Sequence, residues 1–208
     1  MRTWKYVVSV TMITLVIVAV GSVFWINDTN ELKATEDNKA VASWKRGKQD
    51  APITIDMYPD FGCHVCIEKE IMVVEAYNKY PDEIMMVYHP YPSSGFSEKL
   101  AEALEAIGEQ GKFWEFHDRI IHNVPEDMTA LIKMVQDFGL DMESFNGALD
   151  SGKFTEIIRK AKDEAINRGV NDVAVFINGK EYQEYPGTLE DLYIYIDKEL
   201  KRLGTIEK

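Results

Sequence analysis

Cys63 and Cys66 are the only cysteines in the 208 residues of the chain, and just His64 and Val65 separate them. Thiols at that spacing can close a small ring by oxidation and open it again by exchange, moving two electrons between sulfur atoms. A short apolar run, Ile53-Thr54-Ile55-Asp56-Met57, precedes the pair, and a helix-like run from Ile67 to Tyr80 follows it. Between a strand and a helix, the first sulfur lies at a helix N-terminus, whose unpaired N–H groups and dipole favour a thiolate. Cys63 is then the more exposed, attacking thiol, and Cys66, one turn further in and buried, resolves a mixed disulfide. His64 adds to the stabilisation of that thiolate when protonated; the alternative is that it merely fills the dipeptide at the helix start. The exchange needs no organic cofactor, because the electrons move through sulfur.

Other chemistries fit these residues less well. A structural disulfide is uncommon across so short a loop, and a zinc site would need a second cysteine pair that the chain lacks. The remaining metal arrangement would join both thiolates to His64 and a distant histidine. His89, His117 and His122 read as ordinary partly buried or surface residues, and Glu68-Lys69-Glu70 as a solvated helix face. Phe113 and Trp114 read as core. Tyr58, Phe61, Tyr91 and Phe96 either line an apolar groove beside the cysteines for unfolded substrate or simply pack.

The elements that must hold the pair follow from periodicity. Ile53 to Met57 alternates with a period of two, and Ile67, Ile71, Val74 and Tyr77 form one helical stripe that Pro81 stops near Tyr80. A second strand, Ile84 to Tyr88, makes a parallel crossover with the first. Before both, Trp44 to Asp50 holds a short edge strand and a turn at Gly47. Helices then follow one another: from a cap at Ser97, from Gly111, from a cap at Thr129 to Gly139, over Met142 to Leu149, and over Phe154 to Asn167. Strands return at Val173 to Ile177, and Asn178-Gly179 turns the chain into Lys180 to Tyr185. A last helix starts at Thr188 and ends at Gly204.

Hydrophobic residues are 46% of the chain and charged residues 28%, ordinary for a globular protein, and the formal net charge is -12. Arg2 and Lys5 are the only charged residues before Asp28, so the remainder carries 21 basic against 35 acidic side chains, a balance of -14. That excludes nucleic acid as a partner bound through its phosphates. Tyr6 to Ile26 is an uncharged run of 21 residues, long enough to span a bilayer. Basic residues before it and acidic ones after it place the bulk of the chain outside the cytoplasm. Residues 1–26 are therefore a transmembrane anchor or a cleaved signal, 27–43 a polar tether, and 44–208 the folded domain. In either case the thiols meet an oxidising compartment.

From residue 44 to about 202 the order of elements resembles a thioredoxin fold of the DsbA-like thiol–disulfide oxidoreductase family. The fold class is α/β, with a helical insertion, about 95–168, between the β-α-β half and a C-terminal β-hairpin–helix half. The resemblance is carried by Gly47 with Asp50-Ala51-Pro52, by Asp60-Phe61-Gly62-Cys63-His64-Val65-Cys66, by Gln110-Gly111-Lys112-Phe113-Trp114, and by Gly139-Leu140-Asp141 and Asn178-Gly179. It implies an extracytoplasmic enzyme that forms disulfides in cysteine-containing secreted proteins. It also implies a membrane redox partner that reoxidises the enzyme. The rival directions are reductase or isomerase; the rival class is a redox-weak module that binds clients or a metal.

Two positions depart from the family pattern. Members usually place a cis-proline at the start of the strand facing the cysteines, where this chain has Val173-Ala174. A cis bond without proline costs about 2.5–4 kcal/mol, so a trans bond is expected, and Ala174 restores an N–H that proline lacks. Val173 and Ala174, with His64 and Val65, are thus expected to tune the site. Members also commonly carry a buried acid six residues before the first cysteine. Met57 holds that place, and Asp56, one position off, should face the other way on an unbulged strand.

Overall fold

A computed structural model describes residues 42–171, 174–183 and 187–205. Five strands form one sheet: β1 (Trp44–Arg46), β2 (Ile53–Tyr58), β3 (Ile84–Tyr88), β4 (Ala174–Ile177) and β5 (Lys180–Glu181), in the order β1-β3-β2-β4-β5. β2 lies at the centre, parallel to β3 and antiparallel to β4. Its alternation is the reason: Ile53, Ile55 and Met57 are at most 2% exposed, whereas Thr54 and Asp56 are half-buried on the opposite face. The parallel pairing requires a crossover, supplied by helix α1 (His64–Lys79), which therefore starts at the carboxyl end of the central strand.

Five helices follow β3: α2 (Gly95–Glu109), α3 (Phe113–Ile120), α4 (Met128–Phe138), α5 (Met142–Asp150) and α6 (Thr155–Asn167). After the β4–β5 hairpin comes α7 (Leu189–Leu203), which packs beside α1. The hairpin turns through Asn178 at φ 51° and Gly179 at φ 75°, both in the left-handed region that a two-residue turn needs. Asn178 also ties the sheet together, its Oδ1 accepting from Thr54 N at 2.8 Å. Gly139 and Gly204 end α4 and α7 in left-handed caps, as expected.

Some boundaries differ from the sequence reading. α2 is capped by Ser94, with Ser97 at its third position completing a reciprocal capping box, so it starts earlier than a cap at Ser97 implies. α4 is capped by Asp127, which accepts from Ala130 N, ahead of Thr129. Among the described residues the hairpin's second strand covers Lys180–Glu181, without Tyr182 and Gln183; residues 184 and 185 of the expected strand lie outside them. Ala42, within the stretch expected to be tether, is 2% exposed, and residues 27–41 of that stretch lie outside the described residues. The expected span Tyr6 to Ile26 lies outside the described residues. Among the described residues no helix is long and apolar enough to cross a membrane.

Candidate active site

Where β2 ends, the chain runs through Pro59-Asp60-Phe61-Gly62 before α1 begins, and Asp60 fixes this loop. Its carboxylate is buried (3% exposed), with Oδ1 accepting from Gly62 N at 2.8 Å and Oδ2 accepting from Ser93 N at 3.2 Å and from the Ser93 hydroxyl. Its carbonyl accepts from Cys63 N at 3.1 Å. Phe61 is buried below, against Tyr88 and His117. Cys63 then occupies the N-cap of α1, in extended conformation, and its carbonyl starts the helical ladder to Cys66 N and Ile67 N. No acidic residue lies in the first turn to cancel the dipole.

Cys63 and Cys66 are joined in a disulfide, with Cα atoms 5.2 Å apart. Cys63 is half-buried and Cys66 is 2% exposed, the asymmetry expected of an attacking and a resolving sulfur. The dipeptide between them faces outward: the His64 side chain is 88% exposed, 3.6 Å from Glu68, and Val65 is 52% exposed.

Beneath the disulfide the sequence reading needs correction. Glu70 is not part of a solvated face; it is 2% exposed, while its neighbour Glu68 is exposed and Lys69 half-buried. The helical period explains the difference, because position 70 lies four residues after Cys66 and shares its inward face. Nor is His117 an ordinary histidine. It is fully buried, its Nε2 2.7 Å from Glu70 Oε1 and its Nδ1 3.2 Å from Asp118 Oδ1. Asp118 in turn accepts from Arg46 at 2.7 Å. Two carboxylates on one imidazole call for two ring N–H donors. Burial works to lower the His117 pKa, but the Glu70 charge and the hydrogen bonds to Asp118 and Glu70 outweigh it and hold the pKa above its ordinary value. Asp118 is held below the usual carboxylate range by bonds from His117 and Arg46, which outweigh its partial burial.

The other face of β2 behaves as its alternation requires. Met57 is buried at the place where the family carries an acid, and Asp56 points away to His89 Nε2 at 2.9 Å. The β2 registers with β3 and β4 run without a bulge through these residues. Ala174 is half-buried and opens β4 opposite Tyr58. Val173 lies outside the described residues, and with it the peptide bond between Val173 and Ala174.

An open groove of about 710 Å³, lined by the neighbours of the cysteines rather than by the cysteines themselves, lies between Phe61, Gly62, His64, Ile67 and Ile71 and the segment Ile121 to Val124. Of the four aromatic residues considered for such a groove, Phe61 lines it. Tyr58 is buried and stacked on His89, Tyr91 donates to Val170 O, and Phe96 packs against the core. Among the described residues no cluster of three histidines, cysteines or carboxylates is arranged to hold a metal.

A sheet whose central strand delivers a Cys-x-x-Cys pair to a helix start, with a helical block inserted after β3, defines a thioredoxin-like fold. The thioredoxin family model matches residues 39–198, and the chain belongs to that family. The chain is 28% identical over 204 residues to a probable disulfide bond formation protein D of Bacillus anthracis, covering 90% of this chain and 92% of that one. It is 30% identical over 142 residues to a Na(+)/H(+) antiporter NhaA 3 of Salinispora tropica, over 66% of this chain, but spans only 22% of that longer protein. Among solved structures, oxidised BdbD of Bacillus subtilis superposes with a TM-score of 0.66 at 20% identity, covering 76% of this chain and 92% of that one. Alpha-DsbA1 of Wolbachia pipientis gives 0.67 at 20% identity, covering 79% and 94%. The family model and these superpositions agree on the thioredoxin fold, and the chain carries its Cys63–Cys66 disulfide at the start of α1.

Proposed function

We propose that this chain is a protein thiol–disulfide oxidoreductase that forms disulfides in cysteine-containing proteins outside the cytoplasm, through Cys63 and Cys66. One observation carries the reading: the half-buried Cys63 caps α1, its disulfide partner is buried one turn further in, and an open groove lies alongside. A substrate thiolate attacks Cys63 Sγ, the bond to Cys66 breaks, and the electron pair leaves on Cys66, which takes up a proton. A second substrate thiolate then attacks the substrate sulfur of the mixed disulfide, and Cys63 leaves as the thiolate favoured by the helix start. The substrate dithiol is oxidised and the Cys63/Cys66 pair reduced; a second disulfide or a membrane redox partner must reoxidise it. His64 and Val65, exposed between the cysteines, and Ala174, facing Tyr58 on β4, tune the exchange, together with Val173. The N-terminal apolar segment tethers the domain to the membrane or directs its export.

The experiment is oxidation of a reduced, unfolded protein by the purified disulfide form. Wild type is expected to transfer its disulfide stoichiometrically and Cys63→Ser, which cannot form that disulfide, to transfer none; Cys66→Ser, first charged at Cys63 as a mixed disulfide with a small aromatic thiol, is expected to pass into a covalent complex with the substrate protein as that thiol leaves. Equal rates for wild type and Cys63→Ser would overturn the proposal.

A further inference from the structure

We propose that Glu70, positioned by His117, is the proton carrier for Cys66, in the role that the apolar Met57 cannot fill. The inference rests on the dithiol-exchange reading, in which a buried sulfur must gain a proton each time its bond to Cys63 breaks and lose it each time that bond reforms. A buried thiolate without a proton source is costly, and water does not reach Cys66 directly, since it is 2% exposed.

Geometry selects Glu70 among the acids nearby. Cys66 and Glu70 stand at i and i+4 on the inward face of α1, where side chains are neighbours roughly 5–6 Å apart at Cβ. Helical side chains lean toward the N-terminus, so that of Glu70 covers the turn that holds Cys66. Glu70 Oε1 is engaged by His117 at 2.7 Å, whereas its buried Oε2 has no hydrogen-bond partner among the described residues. Asp60 is also buried near the pair, but both its oxygens already accept hydrogen bonds from Gly62 and Ser93. Asp56 lies on the far side of β2 with His89. The Tyr88 ring stands edge-on to His117; its burial, and then the charges of Glu70, Glu105 and Asp60, make its phenol a weak acid. Asp118, backed by Arg46, closes the outer side of His117.

The proton balance follows. When an incoming thiolate cleaves the Cys63–Cys66 bond, the Nε2 proton of the imidazolium passes to Glu70 and from Glu70 to the Cys66 thiolate. Glu70 is again a carboxylate, and the buried, now neutral His117 regains its proton through Glu70 when the Cys66 thiol gives it back as the disulfide reforms. In reverse, the Cys66 thiol gives its proton to Glu70 as its sulfur attacks a mixed disulfide at Cys63 and expels the partner as a thiolate. Glu70 exchanges the proton with the sulfur; His117 positions Glu70 and stores that proton while the disulfide is closed.

The test uses the reduced full chain mixed with an excess of an aromatic disulfide whose thiolate is coloured. Cys63 releases one equivalent when it forms the mixed disulfide, and Cys66 releases a second when it resolves it. Both steps are followed in wild type and Glu70→Gln from about pH 5 to about pH 9, the window of carboxylate and thiol ionisation. The first release should be little changed by the substitution. The second should slow by about 10²-fold or more near pH 6 in the variant and then climb about tenfold per pH unit, because only thiol already ionised by solvent reacts. Second-step rates within twofold of wild type at every pH would overturn the proposal. Where Glu70→Gln does not fold, wild type decides: a second step that climbs tenfold per pH unit throughout, with no plateau, overturns it equally. Failure of the first release would instead strike the dithiol-exchange reading itself.

Discussion

At the scale of single residues, the buried Glu70–His117 pair is the feature that the sequence conceals. Read as a run, Glu68-Lys69-Glu70 is three charges on a helix surface; read by helical position, its last member lies four residues after Cys66 and faces inward. His117 shares a face of α3 with Phe113, its ring stacked at 5.9 Å, and that spacing was a usable signal for burial. Cys63 and Cys66, by contrast, were legible because no other residues of the chain have their chemistry. The pair is also a stability device with a definite pH sign. The folded His117 pKa lies above the ordinary 6.5, so its contribution is fully present below about that value and is lost as the pH rises through the raised one. Urea midpoints of wild type should therefore fall across that range, while His117→Gln should show no such segment. Removing the imidazole in His117→Ala leaves Glu70 buried without its cation and is expected to cost about 3–5 kcal/mol. A wild-type midpoint that stays flat through the imidazole range would contradict this account.

At the scale of elements, periodicity and turn chemistry placed the helices and strands, and capping chemistry then shifted their ends. Ser94 and Asp127 outcompete Ser97 and Thr129 because the true caps leave the following residues free for the first turn, and Ser97 serves instead as the reciprocal partner of Ser94. A contact invisible to periodicity joins β1 to α2. Gly108 is the last residue but one of α2, where an added Cβ would stand 2.2 Å from Trp44 Cζ2. The indole is not free to retreat, since it donates to Glu105 at 2.8 Å and stacks on Phe113 at 4.6 Å. Helix propensity alone predicts that Gly108→Ala stabilises by about 1 kcal/mol. Overpacking of a tight contact costs about 1–3 kcal/mol, or more where nothing can yield, so we expect net destabilisation with Trp44 displaced. A melting temperature equal to or above that of wild type would contradict this expectation, showing that the contact yields at little cost.

At the scale of the whole molecule, the order of elements from β1 to α7 was readable, because each change from period two to period 3.6 carries its own punctuation. The direction of electron flow was not, since it depends on a difference between two folded states of one sequence. That difference can be read as stability. Closing a loop of four residues constrains the unfolded chain by only about 2 kcal/mol, so the disulfide favours the oxidised fold weakly. The start of α1 acts oppositely, because it stabilises a Cys63 thiolate in the folded protein and not in the unfolded one. If that effect exceeds about 2 kcal/mol, the dithiol form is the more stable and the disulfide is spent readily on other thiols, as an oxidase requires. We therefore expect the reduced protein to melt at a higher temperature than the oxidised one at neutral pH. The advantage should shrink on acidification, as the folded thiolate takes up its proton. Should the oxidised form prove the more stable at neutral pH, the same site would favour its disulfide and serve a reductase or isomerase; since about 30 mV corresponds to 1.4 kcal/mol, the gap between the two melting curves also estimates how far its potential departs from an oxidant's.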